Sequence, residues 1–299
     1  MMFITMKNAT KWRYFTSVIS LVLLVASLVT IGVRGLNWGL DFTGGIVTEV
    51  SLSSSVTSHE LGTALDTALH QDVSVIAAGE PGRWVLRYAI PESDTAPDVQ
   101  AVLHQLDANV QVLNTSMVGP QVGQELADQG GLALLIAVLC ILGYLSYRFE
   151  WRLASGSVFA LAHDVIFVLG FFAATQMEFN LTVLAAVLAI LGYSLNDSII
   201  IADRIREVLI AKPNASIQQV NNEALAATIS RTLVTSGTTL MTVGALWIMG
   251  GGPLEGFALA MFIGILTGTW SSISVGTVLP ELLKLKSEHY LPKPIAEEP

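Results

Sequence analysis

Long apolar runs recur along this chain, and they decide what it can fold into. A helix needs about 20 apolar residues to cross the hydrocarbon core of a membrane. Six runs approach that length: 15–33, 132–147, 153–175, 181–202, 232–249 and 257–279. Charged residues make up only 13% of the chain, against about 25% in soluble domains. The sequence therefore predicts an α-helical membrane protein with six transmembrane helices.

The distribution of Lys and Arg around these runs predicts their orientation. Short flanks that are rich in Lys and Arg stay on the cytoplasmic side of a membrane. If the N-terminus is cytoplasmic, only Arg34, Arg83 and Arg87 fall on the outer side. Twelve such residues then lie in cytoplasmic segments: Lys7, Lys11, Arg13, Arg148, Arg152, Arg204, Arg206, Lys212, Arg231, Lys284, Lys286 and Lys293. This imbalance predicts that both termini are cytoplasmic.

The first run is long for the apolar region of a secretory signal peptide. It is followed by Arg34-Gly35-Leu36-Asn37-Trp38 rather than by a small-x-small cleavage pattern. We therefore expect it to be retained as the first transmembrane helix.

A polar segment between the first two runs predicts one outer domain. Its pattern indicates strands at 46–52, 73–78, 84–90 and 110–118 and helices at about 58–71 and 96–106. The sequence Glu80-Pro81-Gly82 indicates a turn between the second and third strands. The order βαββαβ is typical of a small α+β, ferredoxin-like domain. Twelve of the 24 Asp and Glu residues lie in this segment, and its acidic charge argues against nucleic acid as a ligand.

These features divide the chain into four parts. Residues 1–35 hold the N-terminus and helix 1, 36–130 the outer domain, 131–283 helices 2 to 6, and 284–299 a cytoplasmic tail. A cytoplasmic segment is expected at about 204–231. The stretch from Ala211 to Thr232 is too polar to span, but it carries an apolar stripe. It forms an amphipathic helix on the membrane surface, or its later turns extend the fifth transmembrane helix inward.

Residues that would support enzyme chemistry are sparse. The single cysteine, Cys140, lies in an apolar run and leaves no disulfide framework or metal cluster. The outer domain contains no nucleotide-binding loop, nucleophile elbow or metal-ligand spacing. We therefore predict no catalytic site, no metal and no cofactor.

Two carboxylates inside the predicted spans are the main candidates for function. An ionised carboxylate at membrane depth is costly, so it needs a partner, a water-filled cavity or a proton. Asp164 lies at the middle of the third run beside His163. Asp197 follows Asn196 in the fourth run, six residues and therefore about 9 Å inward of its centre.

Arg231 begins the fifth run and is the nearest cationic candidate partner of Asp197. Both lie on the inner half of helices that one cytoplasmic loop joins. Burial favours the protonated carboxyl, whereas a neighbouring guanidinium favours the ionised form. A contact that forms in one conformation and breaks in another would make Asp197 bind and release a proton in step with the motion. The ordinary alternative for Arg231 is a positive-inside anchor.

Other polar residues of the spans are candidates for a proton relay or for polar support of the pair. They are His163, Asp164, Asn196, Thr235, Ser236, Thr238 and Thr239. Ser and Thr in spans ordinarily bond to their own helix backbone, and His163 with Asp164 is equally consistent with a satisfied polar pair. Asp203 and Arg204, at the inner end of the fourth run, have a snorkelled ion pair as their ordinary explanation.

The sixth run carries small residues at every fourth position. They are Ala260, Gly264, Gly268, Ser272 and Gly276, and Gly264 with Gly268 forms a GxxxG match. Such a stripe lets a second helix approach closely. We interpret it as a packing surface rather than a ligand site.

Five short motifs, in this order along the chain, resemble the SecF family, the smaller subunit of the SecDF protein-export complex. They are Asp41-Phe42-Thr43-Gly44-Gly45 just outside helix 1; Gly192-Tyr193-Ser194-Leu195-Asn196-Asp197-Ser198-Ile199-Ile200; Asp203-Arg204-Ile205-Arg206-Glu207; Arg231-Thr232-Leu233 with Thr235-Ser236-Gly237-Thr238-Thr239; and Gly251-Gly252-Pro253-Leu254-Glu255-Gly256-Phe257. The resemblance covers almost the whole chain.

The resemblance implies a half-unit of the resistance-nodulation-division architecture in the bacterial inner membrane, with its soluble domain in the periplasm. It implies SecD, the SecYEG channel and YajC as partners and a translocating preprotein as cargo. It also implies use of the proton motive force, with Asp197 as the proton-coupling acid and Arg231 as its basic partner.

Three other functions are weighed against this one. A small-molecule or lipid exporter of the same architecture usually has larger outer domains than the 85–90 or so residues found here. An intramembrane aspartyl protease needs Gly-x-Gly-Asp and Tyr-Asp, whereas this chain has Ala-His-Asp and Ser-Leu-Asn-Asp. A passive scaffold would have no use for costly buried charge.

Overall fold

The structure is a computed structural model that describes residues 6–53, 56–78, 81–90 and 99–290. Its elements in chain order are α1 (Met6–Arg34), β1 (Asn37–Trp38), α2 (Leu40–Thr43), β2 (Gly45–Ser51), α3 (Ser58–Leu69), β3 (Ser74–Ala77), β4 (Arg83–Tyr88), α4 (Val99–Leu103), β5 (Gln111–Val118), α5 (Pro120–Arg148), α6 (Trp151–Thr175), β6 (Glu178–Phe179), α7 (Leu181–Ala211), α8 (Ile217–Met249), α9 (Gly252–Ile273) and α10 (Val275–Leu282). A short 3-10 helix follows at Ser287–His289. The predicted tail beyond residue 290 lies outside the described residues.

Six helical segments within these ranges are long and apolar enough to cross a membrane, which confirms the six predicted runs as helices. Helices α6, α7 and the last segment bury about half of their most apolar stretch. Helices α1, α5 and α8 bury less than a fifth of theirs, so their apolar side chains face outward. The bundle therefore has a packed centre and three weakly covered helices around it.

The last segment is divided, which the sequence did not predict. The run 257–279 was expected to be one continuous helix, but the helix ends at Ile273 and a new one starts at Val275. Ser274, with φ −93° and ψ −81°, lies outside the helical region. Pro280 lies inside α10 and cannot donate a backbone hydrogen bond, so the helical ladder is already weakened there.

The polar stretch from Ala211 to Thr232 belongs mostly to two long helices. Helix α7 runs to Ala211, and α8 is continuous from Ile217 through the fifth span. A capping box between Ser216 and Gln219 starts α8, because each side chain accepts from the backbone N–H of the other. Of the two alternatives, the structure therefore has the inward extension of the fifth helix.

The soluble domain is a four-stranded antiparallel sheet with two helices. The strand order is β3-β4-β2-β5, and the element order is βαββαβ as predicted. One face buries Ile46, Val50 and Leu86 against Leu61 of α3 and Leu103 of α4. The predicted turn residue Glu80 and the first residues of the predicted helix 96–106 lie outside the described residues.

A capping box also begins α3. The Glu60 N–H donates to Thr57 Oγ1, while the Thr57 N–H donates to Glu60 Oε2 at 3.0 Å. This second bond favours the ionised carboxylate and lowers the pKa of Glu60. The helix that covers the sheet is thus fixed at its first turn.

Several contacts join the soluble domain to the helical bundle, and three of them involve the start of α7 and the connection before it. Strand β1 pairs in parallel with β6, which lies between α6 and α7. Arg87 of the sheet forms an ion pair with Glu178 in that connection. The Leu181 N–H donates to Asp41 Oδ2 at 2.9 Å. The base of the domain is therefore fixed to the first residues of α7.

Candidate functional site

Asp164 lies in a complete hydrogen-bond network at the centre of the bundle. Its side chain is fully buried. One carboxylate oxygen bonds to His163 Nδ1 at 3.0 Å. The other accepts from Ser194 of α7 at 2.5 Å and from Ser271 of α9 at 2.9 Å. The carboxylate thus joins three helices through its own hydrogen bonds.

Asp197 is just as buried but is poorly satisfied. Its residue is 1% exposed, and its Oδ2 accepts a long hydrogen bond of 3.3 Å from Ser236 of α8. Thr269 of α9 donates in turn to Ser236 Oγ at 2.7 Å. Asp197 Oδ1 has no hydrogen-bond partner among the described residues. One oxygen of this carboxyl is therefore available for a proton or a further donor.

Two more buried hydroxyls without partners lie one helical turn from these residues. Tyr193 precedes Asp197 by four residues on α7, and Thr232 precedes Ser236 by four residues on α8. Residues four apart lie on the same face of a helix. The described part of the chain therefore leaves three polar side-chain atoms unsatisfied along the facing surfaces of α7 and α8.

Arg231 is exposed at the start of the fifth span. Among the described residues no ion pair or hydrogen bond joins its guanidinium to the Asp197 carboxylate. The structure therefore does not bring the predicted pair into direct contact.

Most of the proposed supporting residues do not reach Asp197. Asn196 is exposed and, as the neighbour of Asp197 in the chain, points about 100° away from it around the helix. The hydroxyls of Thr235, Thr238 and Thr239 donate to carbonyls of their own helix. Of the residues named for the Asp197 site, the structure brings only Ser236 into hydrogen-bond contact with its carboxylate.

Several residues that surround Asp164 and Asp197 were not predicted from the sequence. Ser194, Ser271 and Thr269 bond to Asp164 or Ser236. Ser194 lies three residues before Asp197, which placed it in a motif but did not reveal that it serves the other carboxylate. The residues of α9 gave no usable signal, because pairing between helices is not visible in one sequence.

The sequence also did not reveal a buried ion pair at the end of the bundle. Arg13 of α1 and Glu281 of α10 pair at 3.2 Å, and their side chains are 1% and 2% exposed. Tyr14 and Asn221 donate to the same carboxylate at 3.0 and 3.2 Å. Arg13 was interpreted only as a cytoplasmic flank residue. It instead joins α1 to α10, and Glu281 links both to α8 through Asn221.

Asp203 and Arg204 both form ion pairs at the end of the fourth span, but with other residues rather than with each other. Asp203 pairs with Arg148 at 2.6 Å and with Arg206 at 3.4 Å. Arg204 pairs with Glu207 at 2.8 Å. These partners account for both charges without a role in proton transfer.

The segment Asp41-Phe42-Thr43-Gly44-Gly45 forms a tight turn at the base of the domain. Gly44 has φ +74°, and an added Cβ would lie 2.9 Å from the Pro120 backbone. Gly45 has φ +152°, and its Cβ would lie 2.8 Å from the Tyr88 carbonyl oxygen. Only glycine fits both conditions at low cost. The turn thus packs between α5, the sheet and α7.

The two glycines of the GxxxG match face α7. A Cβ on Gly264 would lie 2.4 Å from Ile190 Cδ1, and a Cβ on Gly268 would lie 3.1 Å from Ser194 Cβ. The same Gly268 Cβ would lie 3.4 Å from Asp164 Oδ2. The close approach of α9 to α7 is therefore what brings Ser271 to Asp164.

Comparison with known proteins gives the family. Residues 98–286 match the family model "Protein export membrane protein SecD/SecF, C-terminal", and residues 29–56 match the SecD/SecF GG motif. The protein translocase subunit SecF of Vibrio alginolyticus is 40% identical over 96% of this chain and 93% of the relative. That of Escherichia coli O157:H7 is 41% identical over 96% of this chain and 91% of the relative.

The chain belongs to the SecF family. Solved structures agree with this assignment. The crystal structure of SecDF from Thermus thermophilus, described as a translocon-associated membrane protein, has a TM-score of 0.81 at 33% identity. The match covers 94% of this chain but only 38% of the solved chain, so this SecF-family chain corresponds to part of that protein. A SecDF structure in a super-membrane-facing form has a TM-score of 0.69 at the same identity.

Family membership and the six helices make this SecF-family chain a multi-pass membrane protein of protein translocation. The described residues contain no group of three or more His, Cys, Asp or Glu side chains that could hold a metal ion. The functional candidates are therefore the two buried carboxylates and their partners.

Proposed function

We propose that this SecF-family chain uses the proton motive force to assist late translocation of preproteins across the bacterial inner membrane. The observation that carries the proposal is the free Oδ1 of Asp197, a buried carboxyl oxygen without a partner among the described residues. A buried acid that lacks donors is the kind of group that takes up a proton. Asp197 is the proton-coupling acid of this proposal.

Arg231 is its switchable partner. The guanidinium is exposed and not tied to another described residue, so it is free to move toward the carboxylate when α8 shifts against α7. Contact would release the proton, and separation would favour its uptake. Two helix arrangements with different proton affinity are what a gradient needs in order to drive motion.

The soluble domain is the proposed output of this motion. We assign it as a ferredoxin-like domain on the periplasmic side, with residues 36–130 as its limits and both termini in the cytoplasm. The bond from the Leu181 N–H to Asp41 and the ion pair between Glu178 and Arg87 support the output role, because they couple the start of α7 to the domain base. A preprotein segment that leaves the channel is the proposed cargo of the domain.

The active unit is proposed to be a complex with SecD. The outward-facing apolar sides of α1, α5 and α8 support this, because a partner bundle would cover part of them. The solved SecDF chain, of which this chain spans 38%, is consistent with a second half-unit. The complex would act together with the SecYEG channel and YajC, without a cofactor and within membrane lipid.

The protease alternative finds no support in the geometry. An aspartyl dyad needs two carboxyls that share one proton. Asp164 bonds to Ser194 and Ser271, whereas Asp197 bonds to Ser236, so their partners differ.

The test is translocation of a preprotein into inverted inner-membrane vesicles with and without an imposed proton gradient. Asp197→Asn should abolish the stimulation by the gradient while the protein stays inserted and assembled. Asp203→Asn is the matched control, because it changes the same residue type on the same helix at a site that two arginines already neutralise. Gradient stimulation that persists in Asp197→Asn would refute the coupling role.

A second experiment tests the partner. Purification in mild detergent should recover a second subunit of similar architecture together with this chain. Recovery of monomer alone under several detergents would contradict the half-unit proposal.

A further inference from the structure

A cavity of about 230 Å³ lies between α1, α6 and α10. Most of its wall is apolar and includes Val18, Leu21, Phe159 and Val278. Val18 and Leu282, both also in the wall, are each 61% or more exposed, so the cavity opens on the outer, lipid-facing surface of the bundle. Molecules dissolved in the membrane can therefore reach it directly.

Two buried polar atoms on the wall have no hydrogen-bond partner among the described residues. They are Ser17 Oγ of α1 and His163 Nε2 of α6. His163 is 3% exposed, and its Nδ1 bonds to Asp164 on the inner side of the ring. Because the imidazole is rigid, its Nε2 edge is the one that remains for the cavity.

The orientation of this ring is held from two sides. Phe167 stacks on the imidazole with ring centroids 6.2 Å apart and an interplanar angle of 18°. The Asp164 carboxylate is fixed in turn by Ser194 and Ser271. His163 Nε2 is therefore a preorganised hydrogen-bonding group at the middle of a membrane helix.

Water satisfies only the polar part of this cavity. Ser17 and His163 supply two partners, the fewest that a buried water needs, but most of the wall around the volume of about 230 Å³ is apolar, and apolar cavities stay dry. A dry cavity would leave both polar atoms unpaired, which is unfavourable for each of them. An occupant with an apolar body and one hydrogen-bonding group satisfies the wall and the two atoms together.

Two neighbouring cavities differ from this one in the polar residues that they border. A cavity of about 270 Å³ between α5, α6 and α7 has a wall of apolar residues only, such as Val138 and Ile141. A third, of about 370 Å³, lies on the other side of α1 and also borders His163, but it lacks Ser17. Only the first of these three has both unpaired atoms on its wall.

We propose that this cavity binds a neutral, membrane-dissolved amphiphile with a ring-sized apolar body and one hydroxyl or carbonyl group. The polar group bonds to His163 Nε2 and Ser17 Oγ, and the apolar body fills the space between α1 and α10. The site goes beyond proton coupling at Asp197 and does not depend on it. A bound hydroxyl would also fix which imidazole nitrogen carries the proton, and hence the hydrogen bond to Asp164.

The experiment compares two probes of nearly equal shape, 4-tert-butylphenol and tert-butylbenzene, on the full chain in lipid nanodiscs. The readout is the NMR signals of ¹⁵N-labelled histidine, with the His163 signals assigned by their loss in His163→Gln. The phenol should shift the Nε2 signal of His163 in a saturable way, and tert-butylbenzene should leave it unchanged.

Three variants locate the binding. Ser17→Ala should weaken phenol binding about 3- to 10-fold through loss of one hydrogen bond. Val18→Trp should block the mouth and abolish binding, and folding should tolerate it because Val18 is 61% exposed. Val138→Trp, the matched control at the purely apolar cavity, should bind the phenol as the parent chain does.

Three outcomes would overturn the proposal. The first is equal binding of both probes, which would make the cavity an ordinary groove for lipid chains. The second is an Nε2 signal that does not respond at a saturating phenol concentration. The third is a response that survives both Ser17→Ala and Val18→Trp, because the phenol would then bind through the cavity on the other side of α1.

Discussion

Asp164 and Asp197 are two equally buried carboxylates on adjacent helices, and they differ in how well they are bonded. Asp164 has bonds on both oxygens, from residues of three helices. Asp197 has one bond of 3.3 Å and one free oxygen. Burial alone therefore does not identify a proton site. The difference lies in whether the surrounding helices have already supplied the donors that an ionised carboxylate needs.

The helices are also packed more tightly near Asp164 than near the Ser236 partner of Asp197. A Cβ on Gly268 would meet Ser194 and Asp164 at 3.1–3.4 Å, so α9 is pressed against α7 there. Gly237, next to Ser236, has no described atom within 4 Å of the place of a Cβ. Helix α8 thus has open space beside Ser236, whereas α9 has none beside Asp164.

The largest expected effect is on gradient-driven activity. Asp197→Asn removes the proton-binding group and should reduce gradient-stimulated translocation at least tenfold. Asp164→Asn should keep more than half of it, because an amide can accept from both serines and donate to His163. Translocation into inverted vesicles measures both. An equal loss of gradient-stimulated translocation in the two variants would contradict this difference and indicate that Asp164 is a member of the proton relay.

The next effect is on stability, with opposite signs for the two residues. Asp164→Leu leaves His163, Ser194 and Ser271 without their acceptor and should destabilise the protein by about 3 kcal/mol. Asp197→Leu removes an acid that has only one long hydrogen bond, so the free energy of unfolding should stay unchanged or rise by up to about 1 kcal/mol. Thermal unfolding in detergent, monitored by tryptophan fluorescence, measures the stability of both variants relative to the parent chain. Destabilisation of the same size in both would show that Asp197 is bonded as well as Asp164.

A smaller effect is expected from the packing difference. Gly264→Ala places a methyl group 2.4 Å from Ile190 and should cost about 1–3 kcal/mol. Gly237→Ala, in open space on α8, should be neutral or should stabilise the helix by up to about 1 kcal/mol. The same unfolding measurement applies. A cost at Gly237 comparable to that at Gly264 would mean that α8 is packed as tightly as α9.

The smallest effect is expected from the one hydrogen bond of Asp197. Ser236→Ala removes a 3.3 Å bond and should change stability by less than about 1 kcal/mol. It should also shift the pH dependence of gradient-stimulated translocation upward, because loss of a donor favours the protonated acid. Ser194→Ala, the matched change at Asp164, should leave that pH dependence unchanged. A shift in both variants would show that the two carboxylates titrate as a coupled pair.

Much of the architecture was readable from the sequence because local patterns determine it. Each of the six apolar runs lies inside an observed helical segment, although α1, α5 and α8 begin well before their runs. The alternation in residues 46–52 and 110–118 placed β2 and β5 within one residue of their observed bounds. The caps at Thr57 and Ser216, which the sequence analysis did not use, also form within one turn of the chain. These features need only neighbours in the chain.

What the sequence did not show depends on contacts between distant residues. Arg13 resembled an ordinary cytoplasmic flank residue until the fold paired it with Glu281, 268 positions away. Ser194 lay within a motif centred on Asp197, yet it donates to Asp164. The break at Ser274 lies in a run that is apolar on both sides, so hydropathy does not reveal it. Side-chain partners across helices decide each of these cases.

Helix α7 has a mechanical consequence through its contact with Asp41. Sixteen residues separate Leu181, whose N–H bonds to Asp41, from Asp197. At the helical rise this is an arm of about 24 Å, and a tilt of about 5° pivoting near Asp197 moves its far end by about 2 Å. That displacement is as large as the tolerance of a hydrogen bond. A rotation too small to disturb the packed centre is thus enough to form or break the hydrogen bond between Leu181 and Asp41 at the base of the sheet.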